Sequence, residues 1–180
     1  MAEIDPNRCV FLDEAGIVTN MTRRYARAPR GQRAFGEAPA NWKRLTVLGA
    51  LSRDGVVAVR TVETGTTIPV FVDFLKTDVL PTLRQHKPDA ILIMDNLSAH
   101  KNKAVKEAVE GAGLTLKYLP RYSPDVSPIE SCWSKIKIAL RAAAARTVET
   151  LTAALDVAVA SVTVEDAKGW FNHCGYIPAS

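Results

Sequence analysis

Three acids, Asp13, Asp95 and Glu130, are the residues whose types and settings best suit chemistry. Asp13 and Asp95 each follow a short apolar run, Arg8 to Leu12 (RCVFL) and Ala90 to Met94 (AILIM). Such runs read as buried strands, and the carboxyl edge of an α/β sheet is where sites are usually assembled. Each acid also has a purely structural explanation. Asp is a common turn residue after a strand. Ser127-Pro-Ile-Glu130 reads as a capping box, with Ser127 as N-cap, Pro128 at the first helical position and Glu130 reaching back to the cap N–H. Brought to one sheet edge, though, the three would be hard oxygen ligands of the kind magnesium prefers. Two such ions about 3.5–4 Å apart activate a water or a 3′ hydroxyl on one side and stabilise the leaving oxygen on the other. That is phosphodiester chemistry.

The elements that must position these acids follow from pattern. RCVFL reads as a strand stopping at the acidic turn Asp13-Glu14-Ala-Gly. Leu45–Leu51 and Val56–Val62 flank Asp54-Gly55, a strong hairpin signal. From Thr67 the apolar residues Ile68, Phe71, Val72, Leu75, Val79 and Leu83 fall on one helical face, with Pro81 expected to bend or interrupt the last turn. AILIM has no polar face, as expected of a central strand covered on both sides. A helix over Lys101–Glu110, a stop at Gly111-Ala-Gly113, a fifth strand over Leu114–Leu119 and a proline-punctuated loop follow. A helix from Ile129 to about Ala145 and two further helical stretches close the order. On the first of these, Glu130, Ser134, Lys137 and Arg141 share one face, while Ile129, Trp133, Ile136 and Leu140 form the opposite apolar stripe. With no repeat or linker, one mixed α/β domain over residues 1–180 is the simplest organisation.

Composition narrows the class. A chain of 180 residues, 47% apolar and 23% charged, is long enough to bury a sizeable core. It holds no apolar run near the roughly 20 residues a bilayer crossing needs, and its acidic N-terminus is unlike a secretory signal. A soluble, cytoplasmic protein is expected. Cys9, Cys132 and Cys174 are an odd number with no CxxC spacing, which argues against a disulfide framework or a cysteine zinc site. The net charge of +4 is concentrated: between Asn20 and Arg44 seven basic residues face one acid, Glu37, so the rest of the chain is net acidic. Arg23, Arg24, Arg27, Arg30 and Arg33, interleaved with Tyr25, Phe35 and Trp42, suit phosphate and base contacts equally with a solvated basic loop.

The strings FLDE (Phe11–Glu14), IMDNLSAHK (Ile93–Lys101) and LPRYSPDVSPIESCWSKIK (Leu119–Lys137) resemble the three signature blocks of bacterial insertion-sequence transposases related to mariner elements. Between Asp95 and Glu130 lie 34 residues, the gap the resemblance leads one to expect for the second and third acids of a DDE triad. The resemblance implies a ribonuclease H-like fold, with a central mixed five-stranded sheet flanked by helices. It further implies an endonuclease that cuts and rejoins double-stranded DNA at element ends, inserting at TA. By carry-over, Asp13, Asp95 and Glu130 are the catalytic acids holding two Mg2+ or Mn2+ ions, with Asp13 bridging both. A homodimer assembled on DNA and a nucleoid-associated location follow as expectations. The family usually has Asn where this chain has Ser127, and both are good N-caps. Family members carry helix-turn-helix segments before the first acid, where this chain has 12 residues, so a separate recognition polypeptide is expected.

Other residues take supporting places. Glu14 points to the face opposite Asp13 if the strand continues, and Asn96 either bonds phosphate or holds the turn. His100 either orients water or phosphate near the site or bonds backbone at a helix start. Tyr122, with Lys137 and Arg141, is a candidate DNA contact, and Trp133 is most simply core. His173-Cys174 and Gly111-Ala-Gly113 match no metal or phosphate motif. Two alternatives to a transposase stand: a DNA-binding or assembly half without independent activity, and a hydrolytic nuclease of the same fold.

Overall fold

The computed structural model describes residues 4–63, 65–96, 100–120 and 123–178. Its first strand, β1 (Cys9–Val18), does not stop at the acids but runs through them. The expected turn at Asp13-Glu14 is replaced by strand because β2 (Arg44–Ser52) pairs antiparallel along nearly all of β1, from Val10↔Ser52 to Val18↔Arg44. That ladder outweighs the poor strand propensity of two adjacent acids. Parallel pairing with β4 (Ile91–Met94) ends at Leu12↔Met94. Asp13 and Asp95 are therefore each the first residue beyond the same parallel ladder.

β3 (Gly55–Val62) joins β2 through the Asp54-Gly55 turn, where Gly55 has φ +120°. β5 (Thr115–Tyr118) adds parallel to β4, giving the five-stranded mixed order β3-β2-β1-β4-β5. The expected mixed sheet is thus borne out.

Side chains alternate across β1 as the pleat requires. Cys9, Phe11, Ala15 and Ile17 pack toward α4 (Pro128–Ala143), α5 (Val148–Ala160) and α6 (Val164–His173). Val10 and Leu12 pack on the other face with α1 (Ile68–Phe74), α2 (Leu80–His86) and α3 (Lys103–Glu110). β4 is buried on both faces, as its unbroken apolar run requires.

Between α1 and α2 lies a π-helical turn, Leu75–Val79. The interruption falls upstream of Pro81 rather than at it. Pro81 has no N–H for the Thr77 carbonyl four residues back, and the wider turn accommodates that missing bond. Phe71, Leu75, Val79 and Leu83 are buried as their spacing indicates.

In α4, Ile129, Trp133, Ile136 and Leu140 are buried, Glu130 and Ser134 exposed, and Lys137 and Arg141 half-buried. The Ser127 capping box does not form: Ser127 is the N-cap, but its side chain makes no cap hydrogen bond. Full capping boxes occur instead at Thr147/Thr150 and Thr163/Asp166. Among the described residues no helix is long and apolar enough to cross a membrane.

Candidate catalytic site

Asp13 sits half-buried on the α4 face of β1, and the indole of Trp133 donates to its Oδ2 at 3.0 Å. The approach depends on Gly49, which pairs with Asp13 across the β1–β2 ladder. A Cβ at Gly49 would lie 2.4 Å from the Trp133 ring, so only glycine lets the indole come this close to β2. Trp133 was legible as core but not as the partner of an acid; its signal is its place one turn after Glu130 on the helix.

Burial pushes the Asp13 carboxyl up to about 6, and the nearby charges of Glu130 and Asp95 add to that rise. Hydrogen bonds from the Glu14 backbone and Trp133 act the other way and only partly offset it. The three acids named from sequence therefore share one electrostatic field, from β1, the end of β4 and the first turn of α4. No three described His, Cys, Asp or Glu side chains stand close enough together to enclose an ion. The donor chemistry nonetheless fits a hard divalent cation, because it consists of carboxylates whose mutual repulsion a cation would relieve.

Glu14, the next residue of β1, faces the opposite way, as strand continuation requires. It meets His100, which is 2% exposed and lies just before α3. His100 Nδ1 is 2.5 Å from Asp95 Oδ1, and its Nε2 is 3.6 Å from Glu14 Oε1. Its ring faces two carboxylates, partners the sequence reading did not name, and makes no backbone bond among the described residues. Burial alone would lower the His100 pKa, but Glu14 and Asp95 raise it above its ordinary value. Burial likewise would raise Glu14, and His100 and Thr66 more than offset it. Asn96 is half-buried, and its Oδ1 is buried with no hydrogen-bond partner among the described residues.

The basic segment forms a long exposed loop between β1 and β2, and Arg23, Arg24, Arg27, Arg30 and Arg33 all lie in solvent with Tyr25 and Phe35. Its base is fastened: Thr19 and Lys43 exchange hydrogen bonds, and Arg146 Nη1 donates to the Met21 carbonyl at 3.0 Å. Partial burial, then the like charge of Arg24, lowers the Arg141 pKa. The charge of Arg24 in the loop is thus felt at Arg141 on α4. Tyr122 lies outside the described residues. A groove of about 380 Å³ beside Glu14, lined by Gly16, Arg44, Thr46, Glu63 and Thr66, was not anticipated.

A family model described as DDE superfamily endonuclease matches residues 8–152, which include all three acids and the whole sheet. The chain belongs to the DDE superfamily endonuclease family. No curated protein matches it. Among solved structures, this DDE-family chain is similar to the Mos1 transposase paired-end complex with left transposon end. The TM-score there is 0.77 at 21% identity, over 93% of this chain and 52% of that one. It is also similar to the Mos1 transposase catalytic domain with Raltegravir and Mg, with a TM-score of 0.71 at 18% identity over 94% and 79% of the two chains. The crystal structure of the catalytic domain of Mos1 mariner transposase gives 0.68 at 18% identity, over 94% and 76%. The chain spans about half the length of the Mos1 chains in the DNA complexes. These likenesses bear out the ribonuclease H-like fold expected from the sequence.

Proposed function

We propose that this chain is the catalytic domain of a mariner-like DNA transposase that cleaves duplex DNA at element ends and transfers the strand. The observation that carries the reading is Asp13, a carboxyl raised to about 6 by burial and by the fields of Glu130 and Asp95. A family member whose carboxyls from β1, the end of β4 and α4 feel one another's charge has the donors for divalent metal. Mos1 structures carry Mg or Mn and transposon ends, which supports the same classes of cofactor and partner here.

Asp13, Asp95 and Glu130 would hold two Mg2+ or Mn2+ ions, and ions bound there would activate the attacking oxygen and stabilise the leaving one. Trp133 fixes Asp13 through Oδ2 and shields it from solvent on the α4 side. The arginine loop and the Lys137–Arg141 face of α4 bind the phosphates that flank the scissile bond. Element-end recognition by a helix-turn-helix unit, TA targeting, a homodimer on DNA and a nucleoid-associated, cytoplasmic location belong to the same reading.

The test is nicking of supercoiled plasmid with Mg2+ or Mn2+, comparing wild type with Asp13→Asn, Asp95→Asn and Glu130→Gln at equal folding. Activity lost in all three variants supports the reading. A wild type that binds DNA and metal but never nicks would favour an assembly half without independent activity.

A further inference from the structure

We propose that His100, buried against Phe71 and facing Glu14, is the positioning residue that sets the Asp95 carboxylate for metal. This inference rests on the proposed metal role of Asp95 and deepens it. Asp95 lies just past the last ladder pair of β4, and its side chain is 41% exposed. An exposed carboxylate loses rotamer freedom on binding an ion, and a fixed neighbour removes that cost in advance.

His100 is such a neighbour, because three elements besides Asp95 surround it. Its ring stacks on Phe71 of α1, with centroids 4.8 Å apart at 30°. Its carbonyl accepts from the Tyr118 hydroxyl of β5 at 3.0 Å. Glu14 of β1 faces Nε2 at 3.6 Å, and Asp95 receives Nδ1 at 2.5 Å. An ionised carboxylate only accepts, so Nδ1 carries the proton and donates to Asp95 Oδ1, fixing the plane of that carboxylate. A buried ring with Nδ1 on the Asp95 carboxylate and Nε2 facing the Glu14 carboxylate is more than core filling requires. Its arrangement, acid to imidazole to ligand, is the outer-shell pattern by which proteins orient metal ligands, and loss of such partners typically weakens metal binding by about 10–100-fold.

The experiment is a Mn2+ titration of the whole chain without DNA, with free ion followed by electron paramagnetic resonance. Wild type is compared with His100→Phe, His100→Asn, Glu14→Ala and Asp95→Asn, each checked for folding by circular dichroism. His100→Phe keeps the stack on Phe71 but loses both polar ends, whereas His100→Asn keeps a donor toward Asp95 and loses the stack. The expected result is Mn2+ affinity about 10–100-fold weaker in His100→Phe but within about threefold of wild type in His100→Asn. Glu14→Ala, which leaves the ring in place, is expected to fall between them.

Wild-type affinity in His100→Phe, or equal losses in both His100 variants, would overturn the inference and leave the metal reading standing. Should His100→Phe fail to fold, unchanged affinity in Glu14→Ala with full loss in His100→Asn would overturn it instead. Wild type and Asp95→Asn binding Mn2+ alike would overturn the metal role of Asp95, and the inference with it.

Discussion

At Asp13, burial and two neighbouring acids hold the carboxyl at about 6 against an ordinary 3.8. The native state therefore binds this proton more tightly than the unfolded chain does. Its stabilising contribution is complete below pH 4 and is lost as pH rises through 6. Asp13→Asn removes that dependence while keeping an acceptor for Trp133. Chemical denaturation without metal should show the variant gaining on wild type by up to about 3 kcal/mol between pH 4 and pH 8, and added Mg2+ should narrow the gap by stabilising wild type alone. An unchanging gap would mean that Asp13 is not under this strain.

A second residue-scale prediction concerns Gly49: Gly49→Ala forces the Trp133 ring off β2 and should cost about 1–3 kcal/mol in urea unfolding. All three acids were legible from their setting in short, typed strings. Their partners were not, because Trp133 and Asp13 are 120 residues apart, and no local period announces a contact made by packing a helix across a sheet.

Among the elements, α4 carries both the third acid and the basic face, and its apolar stripe could be read directly from the 3.6-residue period. Its start has Ser127 as N-cap and Pro128 as first helical residue, as expected, but the capping box does not close. Ser127 and Glu130 have the types of a capping box, but that pattern reports only what side chains can do, and here the exposed Glu130 carboxylate stands in the field of Asp13. Its end holds Ala144 at φ +50°, in the left-handed region that favours glycine. Ala144→Gly should raise the stability of the chain by about 1 kcal/mol, read as a higher urea midpoint with unchanged slope. The acidic pair in β1 misled for a related reason: strand propensity is local, whereas the β1–β2 ladder that overrides it pairs residues across a 25-residue loop. Pro81 signalled an interruption correctly, but the π turn that absorbs it lies one turn upstream.

For the whole molecule, the fold class followed from the alternation of strands and helices, while the influence of Arg24 on Arg141 of α4 needed three dimensions. Arg24 and Arg141 act on each other, so both should track the same DNA. The salt dependence of duplex binding should fall by about 0.9 in log–log slope when either is replaced by Ala, and an unchanged slope would place the DNA path elsewhere. The central claim is that Asp13, Asp95 and Glu130 work as one site. Groups that act as a unit are strongly non-additive. The most direct measurement is therefore the metal-dependent nicking rate of Asp13→Asn, Asp95→Asn and the double variant, with Glu130→Gln alongside. The account predicts that each single change removes nearly all activity and that the double is no worse than either single. A single variant with wild-type rate, or partial losses that multiply in the double, would contradict it.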